Sequence, residues 1–309
     1  MYVFICSAGH SGSTLLDILL GSHPQGLSLG EITHLPKNIA LDSQCSCGRP
    51  ISSCQFWNPI ITGFSEKAGI DFWSRPYALD FGFIKASDEI DRRHQTNARM
   101  MYRRISYGLQ YLSMRYRLPG QSVFRRHSLD AAKNKAAFFE HILTESGKSF
   151  VVDSSKHYLE AINLHSVAPA DTKIILLVRD GRAVFHSGLR RGMKPKSALA
   201  SWANNWRRAN PLFANSLPPA DVISVKYEDL VSSTEHQLER IFNFLDVGMD
   251  AYTGPLPVKN RHIVNGNRMR FTQNLIISDD DKWREQLDSQ MLDYFDRHAG
   301  DLNRAFGYT

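Results

Sequence analysis

The segment Ser7-Ala8-Gly9-His10-Ser11-Gly12-Ser13-Thr14 sets two glycines among several hydroxyl side chains near the start of the chain. Gly9 and Gly12 let a backbone come close to an anion. Ser11, Ser13 and Thr14 add hydroxyl donors. The apolar run before Ser7 and the helical spacing from Thr14 predict a strand, a tight loop and a helix N-terminus. Unpaired N–H groups at such a junction converge on one point, and the helix dipole favours negative charge there. The chemistry is that of a cradle for phosphate or a phosphate-like group. Ser13 stands where the common triphosphate loop G-x-x-x-x-G-K-[ST] has lysine, and the Rossmann glycine spacing is also absent. On this loop alone, a purely structural turn stays open.

A second anion site is predicted further on. The buried-strand run Lys173–Val178 ends at Arg179, and a helix carrying Ser187 follows eight residues later. An arginine at a strand end offers a planar fork that matches phosphate bidentately. Ser187 lies two turns into the helix, where its hydroxyl reaches the same group. The competing readings are a salt bridge from Arg179 to Asp180 or Asp153, and an ordinary surface place for Ser187. Two anion sites on one sheet edge suit a ligand with two separated phosphate-like ends. Glu31 follows a predicted strand Leu27–Gly30 and is placed at the same edge, as a candidate general base. The alternative is an N-terminal acid of a helix, and His34 is the rival base.

The elements that must position these groups alternate. Strand-like runs recur at Tyr2–Ser7, Phe150–Asp153, Lys173–Arg179 and Asp221–Lys226, with helical patterns near Thr14–Leu20, Ala131–Ser146, Leu159–Ser166, Arg182–Arg190 and Pro195–Ala214. Such alternation predicts an α/β fold of three layers, a central parallel sheet flanked by helices, in which ligands sit beyond the carboxyl ends of the strands. A mainly helical insertion is predicted over about residues 36–128 of a single domain spanning 1–309. It contains a long helix from Phe81 to Arg117. Between Arg92 and Arg126 there are nine arginines, including Arg99, Arg103, Arg104, Arg115, Arg117 and Arg125, and no acid. Tyr102, Tyr107, Tyr111 and Tyr116 are interleaved. This reads either as a solvated face with a tyrosine stripe on the core, or as a basic lid over an acidic acceptor or an anionic surface.

The 309 residues are enough for a sizeable core, and 42% hydrophobic with 22% charged residues is ordinary for a globular protein. The net charge of +6 suits an anionic ligand without requiring one. No apolar run approaches the roughly 20 residues that span a bilayer, and no basic leader precedes the first strand, so the expected compartment is cytoplasmic. Cys6 falls in the first strand as a small apolar residue. Cys45, Cys47 and Cys54 precede Phe56-Trp57. For these three, free thiols, a disulfide, or zinc with a fourth ligand such as His34 all stay open. Asp279-Asp280-Asp281 reads as N-capping of a helix rather than a metal site. Trp202 and Trp206, at helical spacing, are assigned to the core.

Together the two anion elements resemble the sulfotransferases that use 3′-phosphoadenosine-5′-phosphosulfate (PAPS). Gly9-His10-Ser11-Gly12-Ser13-Thr14 matches that family's 5′-phosphosulfate loop, and Arg179 with Ser187 matches its 3′-phosphate site. Val225–Leu230 (VKYEDL, containing Tyr227) resembles a third family segment. His262–Arg270 (HIVNGNRMR) resembles the C-terminal loop that closes over the nucleotide through Gly266, Asn267 and Arg270. The similarity covers most of the chain outside the insertion and is nearest to the bacterial branch related to tyrosylprotein and carbohydrate sulfotransferases. It implies sulfuryl transfer from PAPS to a hydroxyl or amine by in-line displacement, leaving adenosine 3′,5′-bisphosphate (PAP), with a P-loop-like fold and no metal. It implies Glu31 as general base, at the family's distance after the loop, and Lys156 beside the transferring group, with Asp153 orienting Lys156 or Arg179. One departure stands out: His10 occupies the place of the family's lysine or arginine, and a neutral histidine still donates one hydrogen bond. The acceptor, whether acidic, carbohydrate, lipid or peptide, would be read by the insertion and by loops near Gly192–Trp206. Peripheral membrane contact fits such an acceptor, and nucleic acid is not an expected partner. A kinase of a small-molecule hydroxyl and a non-catalytic nucleotide- or nucleic-acid-binding protein are the alternatives.

Overall fold

Five parallel strands form the centre of the fold: β1 (Tyr2–Ser7), β2 (Gly26–Gly30), β3 (Phe150–Lys156), β4 (Thr172–Val178) and β5 (Val222–Lys226), in the spatial order β2-β3-β1-β4-β5. The computed structural model describes residues 1–82, 97–278 and 280–309. Arg92, Arg93 and Asp279 lie outside the described residues, as do the side chains of Arg99, Tyr102, Arg103 and Arg104.

The strands are buried on both faces, which is why they read as continuous apolar runs. Alternation along β1 sends Phe4 and Cys6 to one face and Val3 and Ile5 to the other, and each pair joins a separate core. The Val3 face is covered by α1 (Ser13–Gly21) through Leu15, Leu16 and Leu19. The Phe4 face takes a larger helical layer. It receives Trp57 and Phe64 from α3 (Trp57–Ala68), after the short α2 (Leu35–Ala40). These are joined by α4 (Asn97–Arg115) through Met114 and by α5 (Gln121–Ser146) through Phe138 and Phe139. Next come α6 (Tyr158–Val167), α7 (Gly181–Arg190) and α8 (Pro195–Ser216), the last with Trp202 and Trp206 fully buried. Returning to the Val3 face are α9 (Tyr227–Ser232) and α10 (Thr234–Phe244), and the chain closes with α11 (Trp283–Gln286) and α12 (Ser289–Ala305). This is the three-layer α/β arrangement the alternation predicts.

Three boundaries differ from the sequence-based expectation. The described part of the long insertion helix runs Asn97–Arg115 rather than Phe81–Arg117, and ends where Arg117 takes a left-handed φ of 48°. Helix α5 begins at Gln121 rather than Ala131, because Val123 and Phe124 in its first turns are exposed and give no one-sided apolar pattern. Strand β3 extends to Lys156 through a register shift that sets Lys156 opposite Cys6. In the arginine-rich stretch, Tyr107 and Tyr111 pack against the core while Tyr116 is exposed. Arg125 is bound to α6 by Asn163 Oδ1 at 2.6 Å and Ser166 Oγ at 2.9 Å.

Candidate active site

A cavity of about 820 Å³ opens beyond the carboxyl ends of the strands. One end is the turn between β1 and α1. Gly12 is the N-cap of α1 at φ 87°, and no side chain caps the helix, so its first-turn N–H groups face the cavity mouth. Gly12 is required for a second reason. A Cβ there would sit 2.3 Å from the Tyr227 ring, so the space is filled by Tyr227 rather than kept for an anion. A Cβ at Gly9 would meet nothing within 4 Å. Thr14 accepts the N–H of Asn267 on its hydroxyl at 3.1 Å, which ties the first loop to the C-terminal loop. Ser11 is fully buried with its hydroxyl unpaired among the described residues, and lies behind the cavity wall.

The other end is built on β4 and α7. Arg179, just past β4, is 6% exposed and stacks 4.4 Å above the Tyr227 ring. It donates to the His10 carbonyl at 2.9 Å and to the Asp280 carbonyl at 2.8 Å, with the Asp280 carboxylate 3.3 Å away. Ser187 lines the same space. The partner of Arg179 is therefore Asp280, not Asp180, which pairs with Arg182 at 2.7 Å. The aspartate run does not cap α11 either: the cap position is Lys282, with no side-chain bond.

Glu31 follows β2 and Lys156 ends β3, on the side of the first loop away from Arg179. The Lys156 ammonium donates to Glu31 Oε1, Asn265 Nδ2 donates to Oε2 at 2.9 Å, and His34 Nε2 lies 3.7 Å from Oε2. Glu31 is held at the backbone as well, donating its N–H to the Val264 carbonyl at 3.0 Å. Gly30 turns there at φ 82°, where a Cβ would collide with that carbonyl at 2.1 Å. Lys156, His10 and Asn265 all have positive φ, at 76°, 65° and 57°. Three strained non-glycine residues around one cavity, each costing on the order of 1 kcal/mol, must be held by their surroundings. Burial lowers the His10 pKa, and the positive charges of Arg191, Lys156 and Arg179 lower it further, so its imidazole is neutral at neutral pH.

Asp153 orients neither Lys156 nor Arg179. Its Oδ2 takes the buried Lys135 ammonium at 2.9 Å, and its Oδ1 accepts the Ile32 and Ser155 N–H groups. Lys135 also reaches Glu160 at 3.0 Å and Thr33 at 2.9 Å. Asp153 thus anchors the turn that carries Glu31. Arg270 is not brought into the cavity wall; it donates to the Gly266 carbonyl at 2.8 Å and braces the C-terminal loop. Gly266 and Asn267 do line the cavity, as do Gly9, His10, Ser13 and Tyr227.

The profile of the sulfotransferase family matches residues 83–251, more than half of the chain. The chain belongs to the sulfotransferase family. Its fold is similar to that of the sulfotransferase domain from the curacin biosynthetic pathway, at 19% identity and a TM-score of 0.50, covering 99% of this chain and 97% of that one. The sulfotransferase domain from the Synechococcus PCC 7002 olefin synthase also matches, at 19% identity and a TM-score of 0.46 over 100% of this chain and 94% of that one. In sequence, a stretch of 85 residues is 34% identical to a putative protein-tyrosine sulfotransferase of Caenorhabditis briggsae. That stretch is 25% of this chain and 30% of the relative, so the chain matches under a third of the relative's length.

Arg191 and Asn265 line the cavity without having been given a role from the sequence, and so does Asp280, which the sequence assigns to a helix cap. Only Arg191 had a local signal, one helical turn after Ser187 on the helix that follows Arg179. Among the described residues no helix is long and apolar enough to cross a membrane.

Proposed function

We propose that this chain moves the sulfuryl group of PAPS to a hydroxyl or amine of its acceptor by in-line displacement. The observation that carries the reading is one cavity that brings together two anion-binding features, at the β1–α1 loop and at Arg179, and a carboxylate–ammonium pair on the other side of that loop from Arg179. The uncapped start of α1, with Gly9, Gly12, Ser13 and Thr14, would take the 5′-phosphosulfate. Arg179 and Ser187 would take the 3′-phosphate, with the Tyr227 ring supporting the guanidinium. The donor set fits such a ligand: Arg179, which lines the cavity, keeps a buried Nε unpaired among the described residues. Gly266 and Asn267 would cover the nucleotide, and Arg270 would hold them in place.

Glu31 acts as the base. Its carboxylate takes the proton of the acceptor hydroxyl as the acceptor oxygen bonds to sulfur and the bond from sulfur to the 5′-phosphate oxygen breaks. Negative charge gathers on the leaving phosphate, where the Lys156 ammonium and the α1 N–H groups offset it. Neutral His10 donates one hydrogen bond at the same end. Asn265 and Lys156 aim the Glu31 carboxylate, so it enters the reaction already oriented. The step balances without a metal ion. The kinase alternative is weakened by Asp153, the acid at the end of β3, which is committed to Lys135 and the Glu31 turn.

Incubating labelled PAPS with a panel of hydroxyl and amine acceptors tests the assignment. Label transfer is expected with the native protein and, for Glu31→Gln, a rate lower by about 10²–10⁴-fold, the ordinary contribution of a general base. Undiminished turnover in Glu31→Gln would remove Glu31 as the base.

A further inference from the structure

We propose that Cys45, Cys47, Cys54 and His262 form a structural zinc site. Their ligand atoms all lie within 4.8 Å of one another. The Cys45 and Cys54 sulfurs are 3.7 Å apart, as are those of Cys47 and Cys54. His262 Nδ1 is 3.3 Å from the Cys54 sulfur and 3.9 Å from that of Cys45. Sulfurs bound tetrahedrally at about 2.3 Å from zinc would stand about 3.8 Å apart. Two of the three sulfur pairs already have that spacing, and three thiolates with one imidazole are a zinc donor set.

The surroundings hold the four ligands in place and largely away from water. Cys45 and Cys54 are fully buried. Cys54 also precedes the N-terminus of α3, where the helix dipole favours a thiolate. The His262 ring is fixed by stacking on Phe56 at 5.2 Å, and its carbonyl accepts the Trp57 indole N–H at 2.7 Å. The Cys45–Gly48 turn is tight, closed by the Gly48 N–H on the Cys45 carbonyl with Gly48 at φ 91°. His34, the fourth ligand the sequence offered, stands beside Glu31 instead. His262 takes the place because Val264, two residues on, pairs with Gly30 at the edge of the sheet.

The site would act as a clamp. Ser46, between two of the ligands, bonds the C-terminal loop three times: its hydroxyl to the Arg261 carbonyl and the Ile263 N–H, its N–H to the Ile263 carbonyl. From there the loop runs through Val264, which bonds Glu31, to Asn265 and the cavity wall. Zinc at this position fixes the loop that carries Asn265, Gly266 and Asn267 against the turn that carries Glu31. Binding releases the thiol protons, so the metal is lost in acid.

The test is elemental analysis of the reduced full-length protein after equilibration with zinc and dialysis. One zinc per chain is expected, falling well below stoichiometry in Cys54→Ser and His262→Ala and restored in His262→Cys, which keeps four ligands. Exchange into Co²⁺ should give the visible bands of a tetrahedral thiolate site. Should the serine variant fail to fold, the native protein answers alone: a chelator should lower its melting temperature and speed proteolysis within 262–270, both reversed by zinc and not by magnesium. Reduced native protein that holds no zinc or cobalt and melts unchanged with chelator would overturn the site. So would a resting Cys47–Cys54 disulfide found by mass spectrometry.

Discussion

Arg179 is held on several sides in the cavity wall. It spends two N–H groups on backbone carbonyls, lies over Tyr227 and faces the Asp280 carboxylate. A ligand phosphate at this end must compete with Asp280, so the two residues should act in opposite senses. Arg179→Ala is expected to weaken PAP binding by about 10–100-fold, the worth of charge-assisted hydrogen bonds. Asp280→Ala should tighten it. Calorimetric titration of both variants with PAP checks this, and unchanged affinity in Arg179→Ala would remove its role at the 3′-phosphate. Arg179 and Ser187 were legible in the sequence because a strand end and a helix offset fix their relation locally. Asp280, Asn265 and His262 were not. Each reaches its neighbours from a loop more than 100 residues away in sequence. Lys135 was illegible for another reason: in Ala-Lys-Asn-Lys-Ala it looks like a surface residue, and only Asp153 and Glu160 show why it is buried.

At the scale of elements, α1 is tied to the sheet by one buried acid. Asp17 is fully buried, and accepts the Ser28 hydroxyl from β2 at 2.5 Å and the Ser154 hydroxyl from β3 at 2.8 Å. Burial raises its pKa to about 7, against the opposing pull of the two serines. The fold thus favours the neutral acid. The stability it contributes is full below about pH 4 and is lost as pH rises through about 7, by at most about 4 kcal/mol. Asp17→Asn should flatten that part of the stability profile between pH 5 and pH 8 by urea denaturation; an unchanged slope would contradict it. The parallel strands were legible because strands buried on both faces give short unbroken apolar runs. Helix ends were less so. The start of α5 is hidden by its exposed Val123 and Phe124, and the end of β3 depends on a register shift against β1.

The whole molecule gathers four distant segments at one sheet edge: the β1–α1 loop, the Glu31 turn, the β4–α7 junction and the C-terminal loop. Sheet order explains the gathering. β1 is central, with β3 and β4 on either side, so Lys156 and Arg179 emerge flanking the first loop. The family and its three-layer fold were legible because the two anion elements are local motifs, whereas the acceptor surface is not encoded by any motif of fixed spacing. The proposed function depends most on the gathering of two separate anion-binding features, the β1–α1 loop and Arg179 with Ser187, in one cavity. Thermal melting with PAP and, separately, with ATP and magnesium tests that directly. PAP at 100 times its dissociation constant should stabilise the protein by about 2.7 kcal/mol, an upward shift of several degrees, with much less from ATP and magnesium. Equal shifts for the two ligands, or none for either, would contradict the assignment.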